Sequence, residues 1–225
     1  MLALQNVYQQ QYPVEDFAGQ IFGNSMIAYK HLRSEDAHFL EAGSFRIRSL
    51  YAMRDAEIGP LQDKDEGIRR SAMKDYLVQP GFTKPKLLGN ISEAINLSPN
   101  SIVLFSNCGF EKHSENSWIM CFSSQSNFEA NPDYGATFRV KAVQGFANAI
   151  ARSSDRLGTA KVGYVQYKEP VDLDSEHFEA DCFVKDTRFS VEHEIRIMWY
   201  PKRPIEEDEL YVNSQEALTY LDRIR

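Results

Sequence analysis

The chain has 225 residues, 43% hydrophobic and 12% aromatic, which supplies a folded core and excludes an intrinsically disordered polymer. Its formal charge of −7 excludes a surface that coats nucleic acid generally, while leaving room for a local basic groove. Cys108, Cys121 and Cys182 are odd in number and scattered, so neither a disulfide framework nor a Cys-x-x-Cys metal site is expected; reduced thiols of a cytoplasmic protein are.

In chain order, residues 1–24 read as a helical extension interrupted near Pro13, lacking the basic start and apolar run of a signal peptide. No stretch has the length of a membrane-spanning helix, so no membrane partner is expected. Residues 25–225 read as a single α+β domain with a loop-and-helix insertion around 54–100. Met26–Tyr29 predicts a strand, and Ser34 with Glu35 and Asp36 caps a short helix that Gly43 ends. Phe45 and Ile47 alternate with Arg46 and Arg48, which predicts a second strand. Tyr51–Gln62 reads as a loop and Asp63–Leu77 as a surface helix, on the positions of Ile68, Met73 and Leu77.

Strands are expected at Ser101–Ser106, Ser117–Ser124, Ala136–Val143 and Val162–Tyr167, with helices at Gly145–Ser153 and Phe178–Lys185. A strand through Glu192–Tyr200 and a final helix over Ser214–Ile224 complete the chain. Strands dominate the second half and helices the connections, so the fold class is α+β around a curved, mainly antiparallel sheet.

Three polar clusters end otherwise apolar strands: Tyr29-Lys30-His31, Cys121-Phe122-Ser123-Ser124 and Glu192-His193-Glu194. Alternation puts Glu192, Glu194 and Arg196 on one face, where like charges raise at least one carboxyl pKa. Their plain structural reading is a strand face on which Arg196 bridges the glutamates. No His/Cys/Asp spacing resembles a zinc site, and no glycine-rich phosphate loop is present. Arginine, serine and glutamate on neighbouring strands suit glycosidic transfer from NAD. The cation holds pyrophosphate, the hydroxyl orders a strand on the nicotinamide side, and the carboxylate supports the oxocarbenium-like ribose. Two glutamates on one side of a strand do not flank a sugar, which disfavours a glycosidase.

Phe122-Ser123-Ser124 and Glu192-x-Glu194 after Phe189 resemble the Arg/Ser/Glu-x-Glu pattern of bacterial ADP-ribosyltransferases. A longer resemblance is to an uncharacterised family of bacterial domains. It runs through Tyr29-Lys30-His31, Leu40-Glu41-Ala42-Gly43, Phe45–Arg48, Arg54-Asp55-Ala56, Cys121-Phe122-Ser123, Tyr134-Gly135, Phe183-Val184-Lys185 and Phe189–Arg196. His31 stands where that family has an aromatic residue, and Arg54 and Ala56 where it has Asn and Pro. The opening unit also resembles toxin-type ADP-ribosyltransferases that act on nucleic acid. The resemblance implies NAD as substrate, an ADP-ribosyltransferase-like fold, and a protein or nucleic-acid acceptor, in a toxin or phage-defence effector. It implies Glu194 as catalytic and Glu192 as facing the acceptor. Tyr29, Lys30, His31, Arg46, Arg48, Ser123 and Tyr134 would contact NAD, either Arg46 or Arg48 being the cation; no metal is implied. Two other readings stay open: a non-catalytic adaptor whose Glu192, Glu194, Arg196 and Lys185 form a structural network, and a nuclease holding Mg²⁺ on Asp55, Glu57, Glu192 and Glu194.

Overall fold

Period-two alternation in the apolar strands turns one face of each toward a shared core, and the order in which those strands pair fixes where the polar ends meet. The computed structural model describes residues 26–56, 67–73, 76–78, 102–105, 108–127, 133–168 and 180–225. The extension expected at 1–24 and most of the stretch 54–100 lie outside the described residues.

The chain opens with β1 (Ala28–Leu32), a 3-10 turn and the short α1 (Ala37–Glu41), then β2 (Ser44–Ser49) and α2 (Leu50–Ala56). Next come β3 (Ile68–Met73), β4 (Tyr76–Val78), β5 (Val103–Phe105), β6 (Cys108–His113), β7 (Trp118–Ser123) and β8 (Ala136–Val140). After α3 (Val143–Arg152) follow β9 (Leu157–Tyr164), β10 (Gln166–Tyr167), β11 (Val184–Lys185), β12 (Glu194–Pro201) and β13 (Glu209–Asn213). The short α4 (Gln215–Leu218) and β14 (Leu221–Arg223) finish the chain.

Among the described residues the principal sheet has eight strands, all paired antiparallel, in the order β13-β2-β7-β1-β8-β14, with β12 beside β7 and β9 beyond it. The fold is therefore α+β with a mainly antiparallel sheet. Strand β12 lies along the whole of one edge of β7, from Glu194 opposite Ser123 to Trp199 opposite Trp118. The other edge is divided. Strand β2 takes its beginning, with Ser49 opposite Trp118 and Arg48 opposite Ile119. Strand β1 takes its end, with Tyr29 opposite Ser123. Between those two contacts the sheet forks.

One face of this sheet carries Phe45, Ile47, Trp118, Met120, Phe122, Ile195, Ile197 and Trp199, packed on α3. The helix supplies Val143, Phe146, Ala147 and Ile150, the i, i+3, i+4, i+7 stripe of an amphipathic helix. Phe146 meets Phe45 and Phe122 edge-on, and the Trp199 indole N–H donates to the Ala147 carbonyl at 3.0 Å. On the opposite face Leu50, Met53, Ile119, Cys182, Phe183 and Met198 form a second apolar cluster. The same face carries Arg48, Glu194 and Arg196 beside Cys121 and Ser123.

Several expected elements differ. Asp63–Leu77 holds strands, not a helix: β3 pairs with β6 and β4 with β5. The three apolar positions that suggested a helix are too few to set a period against ladder partners more than twenty residues away. The loop expected from Tyr51 begins as helix α2. In place of a helix ending at Lys185, a turn at Cys182–Phe183 leads into β11, which pairs parallel with β10. The final helix is only α4, capped by the Ser214 hydroxyl, which accepts the Ala217 N–H; the chain then turns and β14 pairs with β8. No helix among the described residues is long and apolar enough to cross a membrane.

Candidate functional site: a charged cleft at the sheet fork

Where β1 and β2 part along β7, the charged face of the sheet opens into a cavity of about 270 Å³. Its lining includes Tyr29, Lys30, His31, Arg46, Arg48, Ser123, Tyr134, Glu192 and Glu194, so every residue expected to contact NAD or to act in the transfer borders one cleft. Five separate stretches of chain supply them, and the antiparallel register brings three of these together, since Ser123 faces Tyr29 on one side and Glu194 on the other.

The β2 wall is cationic. Strand alternation buries Phe45 and Ile47 and leaves Arg46 and Arg48 on the cleft side. Arg48 Nε donates to Glu209 at 3.0 Å, whereas Arg46 reaches the same carboxylate only at 4.0 Å with a side chain 53% exposed. Burial works to raise the Glu209 carboxyl, but Tyr211, Arg46 and Arg48 together hold it below its usual value. Arg46 is thus the more available of the two guanidinium groups.

At the fork itself Lys30 Nζ donates to the Cys121 carbonyl at 2.7 Å and lies 5.5 Å from the Phe122 ring centroid. The ammonium occupies a place where a further strand would meet β7, and burial there lowers its pKa. His31 Nε2 is 3.0 Å from the Gln125 carbonyl and Nδ1 is 3.0 Å from the Thr137 hydroxyl. A carbonyl only accepts, so Nε2 carries the proton and a neutral ring accepts from Thr137 at Nδ1. Burial lowers the His31 pKa, in keeping with that neutral form. The Tyr134 ring stacks on His31, with centroids 6.3 Å apart. The Ser123 hydroxyl donates to the Glu192 carbonyl at 3.2 Å and accepts the Gln125 N–H at 3.1 Å. It ties the strand end to the turn that carries Glu192.

Glu192 is not on a strand, a correction to the expected alternation. It ends a 3-10 turn over Thr187–Glu192, whose start is held by Asp186 accepting the Arg188 N–H, and His193 follows in the left-handed region with φ 46°. That reversal returns the chain to β12 and brings both carboxylates to a single ammonium. Lys185 Nζ lies 2.9 Å from Glu192 Oε2 and 2.9 Å from Glu194 Oε2. The first contact is a hydrogen bond; the second approaches off the hydrogen-bond direction and is an ion pair.

Arg196 is fully buried and fixes the other Glu194 oxygen, with Nε at 2.8 Å and Nη2 at 2.7 Å from Oε1, while Nη1 donates to the Cys182 carbonyl. Arg196 makes no bridge to Glu192, so the single Arg-to-two-Glu bridge of the plain structural reading is replaced by a chain Glu192–Lys185–Glu194–Arg196. The Glu194 backbone N–H donates to the Tyr167 hydroxyl at 2.9 Å. Burial raises the Glu194 carboxyl, yet Arg196 and Lys185 outweigh it and hold the group well below the usual carboxylate range. Burial likewise raises Glu192 and the neighbouring Glu194 adds to the rise, so that against the opposing Lys185 its carboxyl is pushed up to about 7. One glutamate is a fixed anion; its neighbour is poised to exchange a proton near neutrality.

The expected catalytic and NAD-contacting set omits Lys185, named only for a structural network, Cys121, named only in a polar cluster, and Met53, and all three line the cleft. The signal for Lys185 was a lysine closing the apolar run Cys182-Phe183-Val184, where burial demands a partner. No group of three or more His, Cys, Asp or Glu side chains among the described residues could hold a metal ion. Glu57, named for a Mg²⁺ site, lies outside the described residues.

Fold and site together define an α+β protein with a cation-walled, carboxylate-floored cleft at the fork of an antiparallel sheet. Compared with known proteins, the chain matches no family model, no curated protein sequence and no solved structure.

Proposed function

We propose that the cleft binds NAD and that the protein is an ADP-ribosyltransferase, passing ADP-ribose to a protein or nucleic-acid acceptor. The observation that carries this reading is the opposition, across one cavity, of an arginine wall on β2 and two glutamates of different character at the start of β12. A cavity of about 270 Å³ suits the nicotinamide ribose and its phosphates better than a whole dinucleotide. The adenosine end would lie at the mouth. Arg46, exposed and loosely paired, is the guanidinium suited to pyrophosphate. Glu194 supplies fixed negative charge beside the ribose, where positive charge develops.

In the transfer step the C1′–N1 glycosidic bond breaks and its electron pair leaves with nicotinamide. The acceptor's lone pair forms the new bond to C1′, and its proton passes to Glu192. A toxin or phage-defence effector is a role to which such chemistry is suited.

A second reading has its own support. The buried chain Glu192–Lys185–Glu194–Arg196 has the form of a structural network, and on that basis the protein is a non-catalytic adaptor. Labelled NAD separates the two. Purified protein should transfer or hydrolyse label in the presence of cell lysate, and Glu194→Gln should reduce the rate about 100-fold or more. If wild-type protein neither binds NAD nor turns it over with lysate present, the enzyme reading is wrong.

A further inference from the structure

Lys185 is among the least accessible charged side chains of the described residues, 3% exposed, yet it borders the cleft. The fold fixes it from several directions. Its strand β11 pairs with β10, placing Lys185 opposite Tyr167, and the Lys185 carbonyl accepts the Lys168 N–H at 2.9 Å. Its ammonium lies 5.4 Å from the Phe189 ring centroid, and Phe189 belongs to the same turn as Glu192. Tyr167 in turn accepts the Glu194 N–H, so the two short strands brace both the lysine and the glutamate it meets.

We propose that Lys185 is the positioning residue of the cleft: its ammonium, shared by the two carboxylates, holds Glu192 toward the cavity as the group that accepts a proton. The assignment to proton transfer rests on the function proposed above. The coupling between Lys185 and Glu192 is a property of the protein alone. The arrangement divides the labour of the two anions. Glu194 is doubly held, by Arg196 and Lys185, and buried to 3%; Glu192 has Lys185 and remains 14% exposed.

Among the described residues, the charged and titratable groups facing this pair are Lys185 on β11, Tyr167 on β10, and Glu194 with Arg196 on β12. Cys121 of β7 and Lys30 of β1 reach the pair through Glu194. Two cations thus face two carboxylates at the centre. Removing Lys185 leaves two carboxylates against one guanidinium, which is paired to Glu194, and Glu192 then keeps its proton. A lysine serving packing alone would not control that proton.

The test uses protein labelled with ¹³C at glutamate side-chain carboxyls, the Glu192 resonance being identified by its loss in Glu192→Gln. In wild type this carboxyl titrates near neutrality; in Lys185→Met its midpoint rises by about one unit or more, and Lys185→Arg restores most of the wild-type value. The acid limb of the NAD-turnover profile moves by the same amount. An unchanged Glu192 midpoint in folded Lys185→Met overturns the proposal. If Lys185→Met does not fold, a Glu192 midpoint in Lys185→Arg equal to that of wild type supports it, and a rise of one unit or more overturns it. If wild-type protein turns over no NAD, the ADP-ribosyl reading falls, and the carboxyl titration alone decides the Lys185 coupling.

Discussion

Arg196 sits at 0% exposure, and its buried charge is met by Glu194, which takes two of its donors, and by the Cys182 carbonyl, which takes a third. Such pairs add little net stability over a well-packed apolar substitute, but breaking one leaves a buried charge uncompensated. Arg196→Met should therefore destabilise the protein by about 3–5 kcal/mol, measured as a lower urea midpoint with an unchanged slope. The simultaneous replacement Arg196→Met with Glu194→Leu should recover much of that loss, because no charge is stranded. The arginine was visible in the sequence as part of a charged row, and its face was read correctly from alternation. Its burial was not, because alternation gives the face and not what covers it; here Cys182 and Phe183, more than ten residues earlier in the chain, do the covering.

At the level of elements, the turn before β12 decides the site. His193 adopts φ 46°, a conformation that costs a residue with a Cβ about 1–2 kcal/mol and a β-branched residue more. His193→Val should lower stability by about 1–2 kcal/mol beyond any effect of His193→Gly, and should loosen Glu192 from Lys185. Thermal melts of the two variants, with the carboxyl titration of Glu192 as the second readout, check both parts. No sequence signal marked this residue, since even a several-fold enrichment of histidine at positive φ leaves most histidines outside the left-handed region. The strict alternation expected from Glu192 onward consequently began one turn too early. By contrast Phe45-Arg46-Ile47-Arg48 was legible directly, because a strand with one apolar face has one register that satisfies it.

Across the whole molecule, the sheet is held on α3 chiefly by large aromatic side chains. Trp199, at 0% exposure, packs in the core face and hydrogen-bonds to Ala147 of that helix. Trp199→Ala should cost about 3–5 kcal/mol in chemical denaturation, by lost burial and an incompletely collapsed cavity. Because β12 begins at Glu194 and ends beyond Trp199, the same change should also broaden the Glu192 resonance. An effect on stability without any effect at the cleft would show that the two ends of β12 are mechanically independent.

By itself the sequence determined the α+β class, the apolar faces of β2, β7 and β12, helix α3, and the three polar strand ends that border the cleft. All of these follow from local period and from polar residues ending apolar runs, which the chain carries wherever it folds. The tertiary structure alone decided that β1 and β2 share one edge of β7 and so open a fork, that Asp63–Leu77 contributes strands, and that Lys185 stands between two glutamates. Those outcomes depend on pairing between segments tens of residues apart and on burial. Long-range partners, not local preference, set both which backbone groups are paired and which charges lose their water.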